Sequence, residues 1–127
     1  MTQRILIQLD SDPQPSSFDS VVAIDAGVDH LLRYGSVQVT GVVPLVHGAM
    51  FTRGGDDLRH TAIFIGGSDV EVAEALLAAC RDAFFGPVRV SLMLDANGCN
   101  TTASAAVVAA GRHVAIHAAK AVILGGT

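Results

Sequence analysis

The sequence predicts an α/β fold, a three-layer sandwich built on a mostly parallel sheet. Four apolar segments rich in β-branched residues, at about 4–9, 61–65, 88–94 and 120–124, have the length and composition of strands. Each segment is followed by a polar loop, a helix start signal or a glycine turn. Strands that alternate with helices in this way are typical of parallel sheets covered by helices on both faces.

The composition indicates one domain with a large core. The 127 residues are 50% hydrophobic and 16% charged, which is enough to bury a single core. No apolar stretch approaches the ~20 residues that a membrane span needs, and residues 1–10 lack the features of a secretion signal. We therefore expect a cytoplasmic protein that does not enter a membrane. The net charge is −4 and lysine and arginine do not cluster, so we expect no nucleic-acid partner.

The first half of the chain contains a helix and two less regular segments. Ser16 or Ser17 is expected to cap a helix that ends near Gly27, because either hydroxyl can accept from the first free backbone N–H groups. Residues 30–37 predict a second, shorter strand. For residues 40–50 the pattern leaves strand and helix open, since glycine and proline interrupt an apolar run.

Two further helices are predicted in the second half. Ser68 and Glu71 have the spacing of a capping box, and the helix that they begin is expected to run to about Phe85, where a Gly-Pro pair stops it. The alanine-rich residues 101–111 predict the next helix. Its small side chains suit close packing against another backbone.

Polar residues follow three of the predicted strands at the points where the strands end. Asp10 follows the first, a Gly-Gly-Ser-Asp run at 66–69 follows the second, and Asp95 with Asn97 follows the third. Because the carboxyl ends of parallel strands meet at one edge of a sheet, we expect these groups to lie close together. Such an acidic edge, rich in amide groups, favours a neutral or cationic heterocycle over a phosphate.

The loop after Asp95 allows two interpretations. Asn100, Thr101 and Thr102 could each be the N-cap of the following helix, with no further role. The same side chains could instead line a binding site at the carboxyl edge of the sheet. The residues alone leave both interpretations open.

Other kinds of site find little support in the sequence. Histidine and cysteine spacings match no zinc site, so no metal site is predicted. No nucleophile–base arrangement is recognisable and Lys120 is the only lysine, so no catalytic acid or base is identified. Arg53, in a glycine-rich loop, could hold an anion, although a solvated connector is the simpler interpretation.

A series of short segments, spread along nearly the whole chain, is specific in its order and spacing. The segments are Gln8-Leu9-Asp10-Ser11-Asp12, Ser17-Phe18-Asp19, Asp29-His30, Tyr34-Gly35, Thr52-Arg53-Gly54-Gly55, Thr61-Ala62-Ile63-Phe64-Ile65-Gly66-Gly67, Phe84-Phe85-Gly86-Pro87 and Met93-Leu94-Asp95-Ala96-Asn97-Gly98-Cys99-Asn100-Thr101-Thr102. With them the sequence resembles the amino-terminal domain of the bacterial NAD(P)-dependent methylene-tetrahydromethanopterin dehydrogenases.

The resemblance implies a two-domain oxidoreductase of one-carbon metabolism. In that family the pterin lies against the amino-terminal domain and NAD or NADP against a second domain, and a hydride passes directly between them without metal or flavin. Residues 1–118 would form the pterin-binding domain, and residues 119–127 would be the first strand of a truncated dinucleotide-binding domain. We therefore expect a cytoplasmic homo-oligomer for the intact enzyme, and a chain of these 127 residues that is inactive alone.

The resemblance also implies site residues. Phe18 would stack on methylene-tetrahydromethanopterin or a related pterin, and several polar residues would line the cleft where pterin and nicotinamide meet. The substrate-binding residues expected are Asp10, Phe18, Asp19, Asp95, Asn97, Asn100, Thr101 and Thr102. The cofactor-binding residues expected are Gly125, Gly126 and Thr127, at the start of a glycine turn.

Two alternatives come from other classes of protein. Asp10 and Asp12 after the first strand are also typical of a flavodoxin-like signalling or receiver module. A receiver would need a phospho-accepting aspartate after a later strand and a suitable lysine, and the chain supplies neither at the expected place. A purely structural domain with a role in oligomerisation is compatible with the alanine-rich helix.

Overall fold

The computed structural model describes residues 2–125. The chain divides into two compact units, Met1–Asn97 and Gly98–Thr127. Among the described residues, no helix has both the length and the apolar character that crossing a membrane would demand.

The first unit is built on a four-stranded parallel sheet. Its strands are β1 (Ile5–Asp10), β2 (His30–Tyr34), β3 (Thr61–Gly66) and β4 (Ser91–Leu94), and their order across the sheet is β2-β1-β3-β4. Every neighbouring pair is parallel. The parallel sheet is confirmed, and so is the short strand predicted within residues 30–37.

In the described part of the chain, four α-helices connect or follow the strands. They are α1 (Ser17–Asp25), α2 (Val42–Phe51), α3 (Val70–Asp82) and α4 (Cys99–Gly111), and short 3-10 helices occupy Val39–Gly41, Gly55–His60, Ala96–Gly98 and Ile116–Ala118. Residues 40–50, which the sequence left open between strand and helix, thus form mostly helix. Pro44 is tolerated because it lies in the first turn of α2, where a backbone N–H has no partner within the helix.

Within the first unit, helices α1, α2 and α3 cover the two faces of the sheet and form a three-layer α/β sandwich. Alternate residues of β1 point to opposite faces. Ile7 and Leu9 lie in the apolar core with Val46 of α2 and Leu76 of α3. On the other face Gln8 is buried against α1, where its Oε1 accepts a hydrogen bond of 3.0 Å from the Ser20 hydroxyl. The core is therefore apolar on the α2–α3 side and partly polar under α1.

Strand β4 is shorter than the prediction of residues 88–94. The preceding residues form a tight turn, in which the Val88 N–H donates to the Phe85 carbonyl at 3.1 Å. Pairing with β3 begins only where Ser91 lies opposite Ala62. Val88 and Val90 supply side chains to the core without joining the sheet, which is why this segment has the composition of a strand.

The capping box predicted at the start of α3 is wrong. Asp69 is the N-cap, and its carboxylate accepts from the Val72 N–H at 3.0 Å. Ser68 instead contacts another loop, because its hydroxyl donates to the Asp12 carboxylate at 2.9 Å. The helix ends at Asp82 rather than near Phe85.

Of the two interpretations left open for Asn100, Thr101 and Thr102, the role as N-cap of α4 does not hold. The helix begins at Cys99, its N-cap is Gly98, and Asn100, Thr101 and Thr102 lie inside its first turn. Gly98 has φ of 65°, a left-handed conformation that glycine adopts easily. The glycine sets the entry of the chain into the helix, so no side-chain cap is used.

The strand predicted at residues 120–124 does not form. Residues 119–123 take no regular structure and a bend follows at Leu124 and Gly125. A single apolar segment becomes a strand only when its backbone groups pair with a neighbour, and the sheet does not include these residues. The assignment of 119–127 to a second domain stays a prediction, and Gly126 and Thr127 lie outside the described residues.

Candidate functional site

The candidate site lies at the carboxyl edge of the sheet, between the ends of β1 and β3. These strands are neighbours, with Asp10 paired to Gly66, but the chain leaves them toward different sides. After β1 it passes through α1 to β2 on one flank, and after β3 it passes through α3 to β4 on the other. Such a reversal of strand order opens a crevice between the two loops, which is where open parallel sheets bind ligands.

Asp10 lies fully buried at this edge, and its carboxylate organises the loop after β1. One oxygen accepts from the Asp12 N–H at 2.9 Å and the other accepts from the Ser16 N–H at 3.2 Å. The Asp10 carbonyl accepts from the Val37 N–H at 3.0 Å. Since both carboxylate oxygens are engaged by backbone donors, the loop that begins α1 is held closely to the sheet.

Asp12 connects three loops of the same edge. Its carboxylate accepts from the Ser68 N–H at 3.0 Å and from the Ser68 hydroxyl at 2.9 Å. Its backbone carbonyl accepts from the Ser36 N–H at 2.8 Å. The loops after β1, β2 and β3 are therefore tied together through one residue, which the sequence analysis did not assign to the site.

Glycines form the floor of the crevice. A Cβ on Gly66 would lie 3.4 Å from Asp19 Oδ2 and 3.5 Å from Asp10 Oδ2, so both carboxylates reach the end of β3. Gly67 has φ of 122°, and a Cβ there would overlap the Ser11 hydroxyl. Within the described residues that hydroxyl is buried without a hydrogen-bond partner. Both glycines thus keep the space beside the carboxylates open.

Asp19, in the first turn of α1, is held in an unusual electrostatic environment. Burial raises the pKa of its carboxyl above the ordinary aspartate value, a hydrogen bond with Ser16 opposes that rise, and the charges of Asp10 and Asp95 add to it. Asp95 follows β4, and its N–H donates to the Ile65 carbonyl at 3.1 Å. Three carboxyl groups therefore converge on the crevice, as expected for Asp10 and Asp95 from the strand ends.

Phe18 and Asn97 complete the predicted residues of the first unit. Phe18 is 76% exposed in the first turn of α1, next to Asp19, so its ring is available to a ligand. Asn97 has φ of 52°, in the left-handed region that asparagine tolerates, and its N–H donates to the Gly67 carbonyl at 2.8 Å. This hydrogen bond connects the loop after β4 to the crevice floor.

Comparisons with known proteins show the family of the chain. The family model described as "Methylene-tetrahydromethanopterin dehydrogenase, N-terminal" matches residues 17–97, more than half of the chain. The chain belongs to this family. The matched range includes α1, all of β2, β3 and β4, and Asp19, Asp95 and Asn97, but it begins after Asp10.

Two curated relatives of this family domain come from Methylorubrum extorquens. One, named "Bifunctional protein MdtA", is 46% identical over 129 residues, which is 100% of this chain and 45% of the relative. The other, named "NAD(P)-dependent methylenetetrahydromethanopterin dehydrogenase", is 36% identical over 107 residues, which is 84% of this chain and 36% of the relative. The family domain thus spans less than half the length of these curated relatives.

The remaining predicted substrate-binding residues lie in the second unit, outside the matched range 17–97. Asn100 Oδ1 accepts from the Cys99 thiol at 3.1 Å, and the Asn100 carbonyl accepts from the Ser104 hydroxyl at 2.8 Å. Thr101 Oγ1 donates to the Gly98 carbonyl at 3.3 Å. Thr102 lies in the same first turn of α4. Their part in substrate binding stays a prediction.

A feature that the sequence analysis did not find lies at the end of β2. Tyr34, Ser36, Gln38 and Thr40 line a cavity of about 300 Å³. Gly35 shapes its rim, because a Cβ there would overlap the Pro13 carbonyl oxygen. The sequence offered one signal, the Tyr34-Gly35 pair of the family pattern, and the cavity itself is bordered by the loop after β2 and the start of α2.

Proposed function

We propose that residues 1–118 form the pterin-binding domain of an NAD(P)-dependent methylene-tetrahydromethanopterin dehydrogenase. The reaction transfers a hydride from the methylene carbon of the pterin to the nicotinamide of NAD or NADP and leaves a methenyl cation. Family membership supports this proposal, and so does the name of the second relative, which is an enzyme of that activity. A receiver module is disfavoured because β3 ends at Gly66 and not at an acceptor aspartate.

The observation that carries the proposal is the convergence of Asp10, Asp19 and Asp95 on the crevice. Loss of a hydride turns a neutral substrate into a delocalised cation, so catalysis needs negative charge where positive charge develops. The raised pKa of Asp19 indicates that its charge is poorly solvated and repelled by its neighbours. A cation in the crevice would relieve that repulsion, whereas the neutral substrate would not.

The carboxylates have different parts in this proposal. Asp10 uses both oxygens to hold the backbone of the loop, so it contributes charge from a fixed position. Asp19 is only partly buried and can approach a ligand. Phe18, beside it, would stack on the pterin ring, and Asn97, Asn100, Thr101 and Thr102 would line the cleft where the two rings meet.

Nucleotide binding is supported by one described residue. Gly125 has φ of 73°, a left-handed conformation that glycine turns use and that glycine adopts easily. Gly125, Gly126 and Thr127 would contribute to holding NAD or NADP, whose nicotinamide ring accepts the hydride.

We further propose that turnover needs parts of the enzyme outside the stretch that matches the relatives. These 127 residues would then bind the pterin without catalysing the reaction. That the intact enzyme is a homo-oligomer and is cytoplasmic also stays a prediction.

The proposal is tested by comparing the affinity of the chain for the neutral methylene and the cationic methenyl forms of tetrahydromethanopterin. A unit charge about 6 Å away contributes roughly 0.7 to 2.8 kcal/mol for an effective dielectric constant between ~80 and ~20, or about three- to a hundredfold in affinity. We expect the cation to bind more tightly by a factor in this range. Asp19→Asn and Asp95→Asn should each reduce the preference.

A matched control is Asp82→Asn, which removes an exposed carboxylate at the end of α3. It should leave the preference for the cation unchanged. Equal affinities for the two forms in the unaltered chain would contradict the electrostatic role. A parallel assay with methylene-tetrahydromethanopterin and NAD or NADP follows the absorbance of the reduced nicotinamide. Turnover by the 127 residues at the rate of a full-length relative would show that they already contain the nucleotide site.

A further inference from the structure

Strand β2 is an open edge of the sheet in the first unit. It pairs with β1 on one side, and within the described residues no strand lies on its other side. The His30 N–H donates to the Arg4 carbonyl at 3.0 Å, so it points toward the chain of β1. Successive residues of a strand point their backbone groups to alternate sides, so the N–H and C=O of Leu31 and Arg33 point outward. These groups are available to another strand.

The face of β2 toward α2 adds apolar surface beside these groups. Leu32 and Tyr34 lie in register with Ile7 and Leu9 of β1, so they share the same face of the sheet. Ile7 and Leu9 are buried, whereas Leu32 is 45% and Tyr34 39% exposed. With Pro44 of α2, Leu32 and Tyr34 border an apolar cavity of about 190 Å³. The sheet edge on this face is therefore apolar and only partly covered.

Helix α1 continues the apolar surface on the other face. A Cβ on Gly66, at the end of β3, would lie 3.4 Å from Asp19 Oδ2, so Asp19 marks the flank of α1 that faces β3. With about 3.6 residues per turn, Val21 and Ile24 lie on the other side of the helix axis, toward β2. Both side chains are exposed. Apolar surface therefore borders the edge strand on both faces of the sheet.

We propose that β2 pairs with β2 of a second copy of this chain, antiparallel and about a twofold axis at Leu32. In this register Leu31 lies opposite Arg33 of the second copy, and the two residues exchange both backbone hydrogen bonds. Leu32 lies opposite its own counterpart in the closer kind of pair, where apolar side chains contact each other. The two sheets join into one. This inference does not depend on the proposed function.

The sequence of β2 is complementary to itself in this register. All five residues of the strand are paired, and the Arg33 guanidinium lies opposite an apolar side chain rather than another cation. That guanidinium also donates to the Pro15 carbonyl, so it is held toward the loop after β1. His30 lies opposite Tyr34, and two such rings can stack. A twofold axis at Arg33 would instead place like charges directly opposite each other, which destabilises a strand pair.

Sedimentation of the 127-residue chain, over concentrations up to about 1 mM, tests the association. We expect the mass to rise from the 13.1 kDa of one chain toward twice that value. Hydrogen exchange at the Leu31 and Arg33 amides should slow as the concentration rises, because association gives these N–H groups a partner. A chain that keeps the mass of one copy at every concentration would overturn the proposal.

Charged substitutions at Leu32 test the twofold axis. Leu32→Lys and Leu32→Glu should each weaken self-association about tenfold or more, since each places like charges opposite each other. An equal mixture of the two variants should associate again, because a lysine then lies opposite a glutamate. Leu32 is exposed in the single chain, so both variants should fold, which circular dichroism checks.

Two matched controls introduce lysine at other exposed apolar positions. Met93→Lys alters β4, the strand at the opposite edge of the sheet, and Ile123→Lys alters the apolar segment after α4. Both variants should associate as the unaltered chain does. If either control abolishes association while the Leu32 variants retain it, another surface joins the copies and the proposal is wrong. If the mixed Leu32 variants associate no better than either variant alone, the twofold axis is not at Leu32.

Discussion

Replacement of Gly67 by alanine should both destabilise the fold and close the crevice. A residue with a Cβ held at φ of 122° has a cost of order 1–3 kcal/mol, because this conformation is rare outside glycine. The new Cβ would also overlap the buried Ser11 hydroxyl and force that side chain to rotate, a change of roughly 1 kcal/mol. The hydroxyl has no hydrogen bond to lose in the described residues. We therefore expect Gly67→Ala to lower the free energy of unfolding by about 2–4 kcal/mol.

Urea denaturation of the chain measures this change, with Gly41→Ala as the control. Gly41 has φ of −102°, and nothing lies within 4 Å of where its Cβ would be, so its replacement should change the free energy of unfolding by less than about 1 kcal/mol. Pterin titration of the folded Gly67→Ala variant should also show weaker binding. A variant within about 0.5 kcal/mol of the unaltered chain would refute the steric and conformational reasoning.

Three further predictions concern single side chains. Phe18→Ala should weaken pterin binding by about fivefold through loss of stacking, measured by NMR titration. Asp19→Asn should be more stable than the unaltered chain at neutral pH, because the raised pKa of Asp19 means that its ionisation opposes folding; urea denaturation across pH should show the difference disappear below about pH 4. A thiol reagent should modify the exposed Cys99 in the folded chain, while Cys80, whose pKa burial raises to about 11, should react only after unfolding.

Each of these has a control or a contradicting result. Phe85→Ala removes another exposed ring, 70% accessible, after α3, and should leave pterin binding unchanged. For the pH experiment, a stability difference that grows as the pH falls would have the opposite sign from the one expected. Modification of Cys80 at the same rate as Cys99 in the native chain would contradict its burial in the core.

The sequence predicted the architecture because the strands are marked by their apolar composition and by the polar loops and helix starts that come after them. Asp10 and Asp95 were expected at one edge from their positions after apolar segments, and the parallel sheet confirms this. Residues 40–50 could not be decided locally, since the helix that they form is stabilised by burying Val46 and Met50 in the core. Tertiary packing decides such ambiguous apolar runs.

The errors have a common physical origin in contacts between distant loops. Ser68 has the local pattern of an N-cap, but its hydroxyl and its N–H both donate to the Asp12 carboxylate. Asp69 is the N-cap instead. The contact between Ser68 and Asp12 has no signal in local spacing, because it depends on the fold that brings the two loops together. The cavity beside Tyr34 is bordered by the loop after β2 and the start of α2.

The acidic edge shows how one residue type can have two roles at one site. Asp10 is fully buried and hydrogen-bonded to two backbone N–H groups, so its charge is compensated locally and it fixes the loop. Asp19 is only partly buried, and its raised pKa reflects charge that is not fully compensated. A developing cation gains most from the second kind of carboxylate, because attraction to it also relieves repulsion within the protein. Substitution of Asp10 should therefore reduce stability more than selectivity for the cation, and substitution of Asp19 should do the reverse.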